Sequence, residues 1–173
     1  MTIDPESVHH ANLDAARLRH VFGHFPTGVT VVTGTSDRGP AGFTIGSFTS
    51  ISLVPPLVGF LPQIGSATWE SIADTGAFCV NVLRHEQADL CWRFARSDPD
   101  ESRFRDIGWK PSPSGCPIID GVGAWIDCAL EHSFELGDHL MVVGRVVDLG
   151  HDIEPHIPLV FYKGELGGFL AAE

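Results

Sequence analysis

The sequence predicts a mainly β protein, an antiparallel barrel with a few flanking helices. Three observations carry that expectation. Short β-branched and alternating apolar runs recur along the chain at regular intervals. Tight turns rich in Gly, Pro, Asp and Ser join them, where parallel strands would need long crossover connections. No G-x-G-x-x-G follows a strand, so a doubly wound nucleotide-binding sheet is not expected.

The elements follow in order. Asn12 is placed to cap a first helix, in which Leu18, Val21, Phe22 and Phe25 keep the i, i+3, i+4, i+7 spacing of one face; Pro26 and Gly28 end it. "GVTVVTGT" reads as a β-branched strand and "SDRGP" as a turn. "AGFTIGSFTSISL" reads as strand broken at Gly46, and "PLVGFLP" as a further strand set off by Pro55 and Pro56. Ser66 can cap a short helix, "ATWESIADTG", which Gly76 closes. "AFCVNVL" alternates Phe78, Val80 and Val82 against Cys79, Asn81 and Leu83. A helix carrying Leu90, Cys91 and Phe94 comes next. The last third returns to strand in "GAWIDCALEHSFEL", "DHLMVVGRVVDL" and "PLVFY".

Composition limits the functions available. At 173 residues and 43% hydrophobic, the chain suits one domain with a buried core, spanning 1–173. A net charge of −11, with Lys110 and Lys163 the only lysines, argues against a nucleic-acid partner. No apolar run reaches membrane-spanning length, and the N-terminus lacks the basic segment and apolar core of a signal peptide, so no membrane association and a cytoplasmic location are expected. Cys79, Cys91, Cys116 and Cys128 form no C-x-x-C pair and no zinc pattern with histidine, so they read as small core residues, and no metal is expected. Asn81 reads as a strand residue that satisfies backbone groups.

The stretch "GFTIGSFTSISLVPPLVGF" carries more hydroxyls than a strand needs: Thr44, Ser47, Thr49, Ser50 and Ser52. A strand that breaks at glycine frees backbone N–H groups, and neighbouring hydroxyls add donors that need no positive charge. "IGSAT" leads directly into a helix and supplies a second set of such donors. Together they form a plausible cradle for a phosphorylated planar cofactor.

"FPTGVTVVTG", "GFTIGSFTSISLVPPL", "FCVNVL", "WRFA", "GDH" and "PLVFYKG" occur in the order found in the flavin reductase family of FMN-binding split barrels, and the chain resembles that family from Val21 to Gly164. These are the small components of two-component flavin-dependent monooxygenases. The resemblance implies a homodimer that uses NADH or NADPH to reduce FMN or FAD, which a separate monooxygenase then receives. It implies that Thr44, Ile45, Gly46, Ser47 and Phe48 run along the isoalloxazine, with Ser50 and Ile51 continuing toward the ribityl chain and phosphate. Gly65, Ser66 and Ala67 resemble a second phosphate turn; Phe94, Ala95, Ser97 and Asp98 complete the flavin pocket. His139, Phe161 and Tyr162 match positions on the nicotinamide side, with His139 as the catalytic candidate.

Hydride transfer between two such cofactors needs no metal and no covalent protein group; the protein stacks the rings and excludes water. Backbone donors near the flavin N1–C2=O edge would stabilise the anionic reduced ring. Three positions depart from the family pattern: Val54 where an acidic residue is common, Gly46 where a larger polar residue is frequent, and Gln63 where a basic residue is often found. They bear on flavin affinity and on the choice between FMN and FAD. Two alternatives use the same barrel. One is a flavin-binding electron carrier, and the other is a split-barrel oxidase of a phosphorylated substrate such as a pyridoxamine phosphate.

Overall fold

The protein is described by a computed structural model over residues 13–97 and 100–170. The strands are β1 (Thr27–Gly28), β2 (Thr30–Ser36), β3 (Gly39–Ile45), β4 (Thr49–Leu53), β5 (Pro56–Phe60), β6 (Ala77–Val82), β7 (Trp109–Pro111), β8 (Pro117–Ile119), β9 (Ala124–Leu136), β10 (His139–His151), β11 (Leu159–Tyr162) and β12 (Glu165–Gly168). The helices are α1 (Ala15–Phe22), α2 (Ala67–Ala73), α3 (Ala88–Ala95) and α4 (Asp100–Arg103). Seven strands form one sheet in the order β3-β2-β6-β9-β10-β5-β4, and each neighbouring pair is antiparallel. The mainly β, antiparallel expectation is met.

The sheet order itself demands a barrel. The two edge strands, β3 and β4, are consecutive in the chain and joined through Gly46–Phe48 alone. A flat sheet of seven strands would hold its edges about 29 Å apart. The connection from Ile45 to Thr49 spans at most about 14 Å. The sheet therefore curls until its edges approach. No ladder joins β3 to β4, so the barrel is split at that seam. Ser47 bridges from the seam to the end of β5: its Oγ accepts from Leu61 N at 2.9 Å and donates to Leu61 O at 3.4 Å.

Inside the barrel Phe60, Phe78, Trp69 and Ile72 are fully buried, with Val32, Val80 and Val142 around them. Their rings meet edge to face, Phe60 with Trp69 and with Phe78 at centroid distances of 5.2 Å. Burying each large side chain contributes about 1.5–3 kcal/mol, and edge-to-face pairing adds to it. α2 supplies Trp69 and Ile72 because Ser66 accepts from Trp69 N and starts the helix there. On the other face of β2 and β6, Val31, Cys79, Phe94, Phe104 and Ile119 form a second core beneath α3 and the β7–β8 hairpin. β6 is buried on both faces, so the alternation read there separates two cores, not core from solvent.

Polar pins hold that hairpin. Asn81 Nδ2 donates to Thr33 Oγ1 at 3.0 Å, and its Oδ1 accepts from Ile119 N at 2.8 Å, so the residue satisfies backbone groups as expected. The buried Asp127 accepts from Ser112 Oγ at 2.8 Å and from Ser114 N at 2.9 Å. All four cysteines are free and buried.

The first helix differs from its expected bounds. Asp14 caps it by accepting from Arg17 N, and Gly23, not Pro26, closes it; Asn12 lies outside the described residues. None of its residues is buried: Val21 and Phe22 stand open to solvent, as does Phe25 just beyond. β7, β8, β12 and α4 were not anticipated. No described helix is long and apolar enough to cross a membrane, and no described group of His, Cys, Asp and Glu could hold a metal ion.

Candidate active site: an arginine-bearing cleft

A cleft of about 530 Å3 opens where β3, α2 and α3 meet the β10 turn, within the range of cofactor sites. One wall is β3, through Phe43, Thr44 and Ile45. A second is the turn Leu61–Ser66 with the start of α2. The third is the end of α3, Phe94–Ser97, with Arg103 from α4. His139 completes the lining.

Each wall has a local cause. Thr44 Oγ1 donates to Cys91 O at 2.7 Å, fixing α3 against β3. Gly65 adopts φ +79, a conformation glycine allows without strain, and so turns the chain from β5 into α2. Ile64 N donates to Asp138 O at 3.1 Å and Leu140 N to Pro62 O at 2.9 Å, stapling the His139 turn to that loop. Gly137, at φ +65, begins the same turn. Arg103 is buried, and its Nη1 donates to Gly42 O at 2.7 Å and to Thr68 Oγ1 at 3.3 Å.

The described lining includes Arg96 and Arg103, and both residues also have partners within the chain.

The cleft gathers Thr44, Ile45, Gly65, Ser66, Ala67, Phe94, Ala95, Ser97 and His139 of the expected site residues. Others lie elsewhere. The exposed Gly46 and the half-buried Ser47 form the seam, while Phe48 packs on the barrel core. Ser50 and Ile51 are exposed on β4, with Ile51 lying over Gly59. Phe161 packs on the second core and Tyr162 stands 6.5 Å from the His24 ring, both on the separate β1-β11-β12 sheet. Asp98 lies outside the described residues. Arg96 and Arg103 were missed, along with Phe43, Leu61 and Pro62.

Two hydroxyls of the hydroxyl-rich stretch bond the protein's own backbone. Thr44 and Ser47 hold Cys91 O and Leu61, and Thr30 Oγ1 holds Ile45 O at 3.1 Å. Those hydroxyls satisfy the protein's own backbone. Arginine, not lysine, supplies the cleft's positive charge.

A split antiparallel barrel with a cleft of mixed polar and apolar lining is a scaffold that can hold a planar, phosphorylated cofactor. A family model described as a flavin reductase like domain matches residues 22–169. The chain belongs to that family. A flavin reductase of Pseudomonas putida is 46% identical over 160 residues, 92% of each chain. The reductase subunit of a flavin-dependent monooxygenase from Rhodococcus jostii is 46% identical over 90% of this chain and 78% of its own. Among solved structures, a nitrilotriacetate monooxygenase component B from Mycobacterium thermoresistibile superposes with a TM-score of 0.86 at 42% identity, covering 90% of this chain and 86% of that one. An NADH:FAD oxidoreductase from Streptomyces globisporus, solved with NAD and FAD fragments, has a TM-score of 0.84 at 33% identity over 98% and 97% of the two chains. These relatives favour the reductase reading over the carrier and oxidase alternatives.

Proposed function

We propose that this chain is the reductase component of a two-component system: it reduces FMN or FAD with NADH or NADPH and releases the reduced flavin to a separate monooxygenase. The observation that carries the reading is one cleft of about 530 Å3 that brings Thr44, Gly65, Ser66, Phe94 and His139 together beside Arg96 and Arg103. Its Ser66, Thr68 and arginine groups fit a flavin phosphate, and Phe43, Ile45 and Leu61 offer apolar surface beside them. Arg96, Arg103 and the turn at Gly65–Ser66 would hold the phosphate end, and Thr44, Ile45 and Phe94 would line the ring. Flavin, when bound, supplies the acceptor for a hydride from the nicotinamide, with its electron pair. The protein's part is to place the two rings and keep water out.

His139, in the lining of the cleft, would meet the nicotinamide. Replacing it by Ala should slow flavin reduction about ten-fold while changing flavin affinity little.

The active form is a homodimer acting in the cytoplasm, with residues 1–173 as its one domain. Support for the dimer comes from apolar surface left uncovered on one chain: Val21, Phe22 and Phe25 near α1, and Ile51, Leu53 and Val54 at the end of β4. The second copy would bring the β4 face, with Ser50 and Ile51, into a shared site. Phe161 and Tyr162 would reach the nicotinamide only in that assembly.

The test is anaerobic reduction of FMN and FAD by NADH and by NADPH, followed at the flavin absorbance, with sedimentation in parallel. Catalytic bleaching of added flavin by a dimer is the expected result. Stoichiometric reduction without turnover would overturn the enzyme, and full activity from a monomer would overturn the assembly.

A further inference from the structure

We propose that Trp92 of α3 is a stacking platform for the adenine of FAD, and that it makes the chain select FAD over FMN. The inference rests on the reading that the cleft holds a flavin with its phosphate at Arg96 and the Gly65–Ser66 turn.

Of the chain's four tryptophans, three have a place in the fold. Trp69 sits in the barrel core against Phe60 and Phe78, and Trp109 packs edge-on to Phe104. Trp125 lies against Gly150. Trp92 is 53% exposed, although Cys91 and Phe94 on the same helix are buried. Exposure alone is ordinary on a protein surface. The position gives it a use.

Ala95 and Arg96, both in the cleft lining, follow Trp92 by three and four residues at the end of α3. On a helix those positions share one face, with Cβ atoms about 5–6 Å apart. Side chains on a helix also lean toward its N-terminus, so the indole covers the surface about one turn back from Arg96. In FAD, a second phosphate, a ribose and adenine continue from the phosphate that FMN already carries. A flavin phosphate held at Arg96 therefore leaves the adenosine within reach of Trp92. Every base presents a flat π face, and indole offers it a large aromatic surface at low cost in side-chain freedom. FMN ends at its phosphate and has nothing to lay on that ring.

The experiment compares wild type with Trp92→Ala, Trp92→Leu and Trp92→Phe. FAD and FMN are titrated by flavin fluorescence, and KM for NADH is measured with FMN as the acceptor. Thermal midpoints and sedimentation are recorded for each protein. Wild type should bind FAD about ten-fold more tightly than FMN, as one stacked base allows. Trp92→Ala and Trp92→Leu should bring FAD down to the FMN level, with FMN affinity within about two-fold of wild type. Trp92→Phe keeps a flat ring and should retain most of the preference. Adenosine, which carries the base without the flavin, should weaken FAD binding to wild type and leave FMN binding alone. Equal affinities in wild type, losses shared by FAD and FMN, or a preference that survives Trp92→Ala would each overturn the proposal. So would a raised KM for NADH in Trp92→Ala, which would give the indole to the adenine of the donor. Altered sedimentation of Trp92→Ala would overturn it too, by assigning the residue to a contact between subunits. Wild type that binds neither flavin would overturn the underlying reading itself.

Discussion

Arg103 Nη1 donates to the carbonyl oxygen of Gly42 at 2.7 Å, fastening α4 to β3 at the floor of the cleft. The guanidinium is buried, and a cation there must be met by oxygens on more than one side. Gly42 O, Thr68 Oγ1 and further partners within the chain meet it.

Arg103→Ala should therefore have two effects. Flavin affinity should fall ten-fold or more, since hydrogen bonds to charged groups contribute about 1.5–3 kcal/mol. Stability should fall as well, because α4 loses its tie to β3. Arg103→Lys would restore a charge without the planar fork, so it should recover less affinity than a point-charge account requires. Fluorescence titration with FMN and a thermal melt separate the two effects.

Gly144 marks the place where β10 slips register against β9 and runs under the barrel core. A Cβ there would lie 2.3 Å from Phe78 Cζ and 3.0 Å from Cys128 Cβ. Phe78 is fully buried among aromatic neighbours and cannot step aside. Gly144→Ala should cost about 1–3 kcal/mol by overpacking. Gly167→Ala, where a Cβ would meet nothing within 4 Å, is the control and should change stability by no more than about 0.5 kcal/mol. Urea unfolding of the two variants checks the contrast.

The seam between β3 and β4 depends on one hydroxyl. Ser47→Ala would leave Leu61 N, half-buried at the end of β5, without its acceptor. A loss of about 1–3 kcal/mol is expected for a buried donor left unmade, toward the lower end because the site is only half-buried. Amide exchange at Leu61 should quicken more than at Val80 in the barrel core. Uniform quickening at both sites would mean that Ser47 acts on global stability alone.

The strand pattern was legible because period-two alternation and turn chemistry are local properties, and β5, β6 and β9 follow them. The barrel was legible because tight turns, not crossover helices, join the strands; that its seam falls at Gly46–Phe48 follows only from the sheet order. The β7–β8 hairpin was not, since "KPSPSGCP" reads as loop and its anchors, Asn81 and Asp127, are distant in sequence. Arg103 lay in the charged run "DESRFRD", where spacing does not separate a buried cation from a solvated one. Thr44 and Ser47 were recognised as unusual, but a hydroxyl's partner is chosen by tertiary approach. Here Cys91 and Leu61 arrive first. The face of α1 followed helical spacing and yet buries nothing within the chain, because periodicity reveals that a face seeks cover without naming what covers it.

The buried thiols predict how the fold responds to alkali. Burial, reinforced by the nearby Asp127 carboxylate, pushes Cys116 and Cys128 from 9.0 up to about 12, and Cys79 higher still. Burial also raises Cys91. A folded-state pKa above the unfolded one means that the native state keeps a proton which the unfolded chain releases. The corresponding stability is fully present below 9.0 and is lost as pH rises toward about 12. Each such thiol contributes a slope of up to about 1.4 kcal/mol per pH unit across that window. Urea midpoints should hold level up to pH 9 or so and then fall, more steeply than tyrosine and lysine titration alone would produce. Cys128→Ala removes one contributor, so its curve should start lower, from the lost packing, and then fall less steeply. Native thiols should also resist alkylation at about pH 8 and react once urea opens the barrel, because the thiolate is the reactive form. Parallel curves for wild type and Cys128→Ala above pH 9 would show that this thiol takes no part in the alkaline transition.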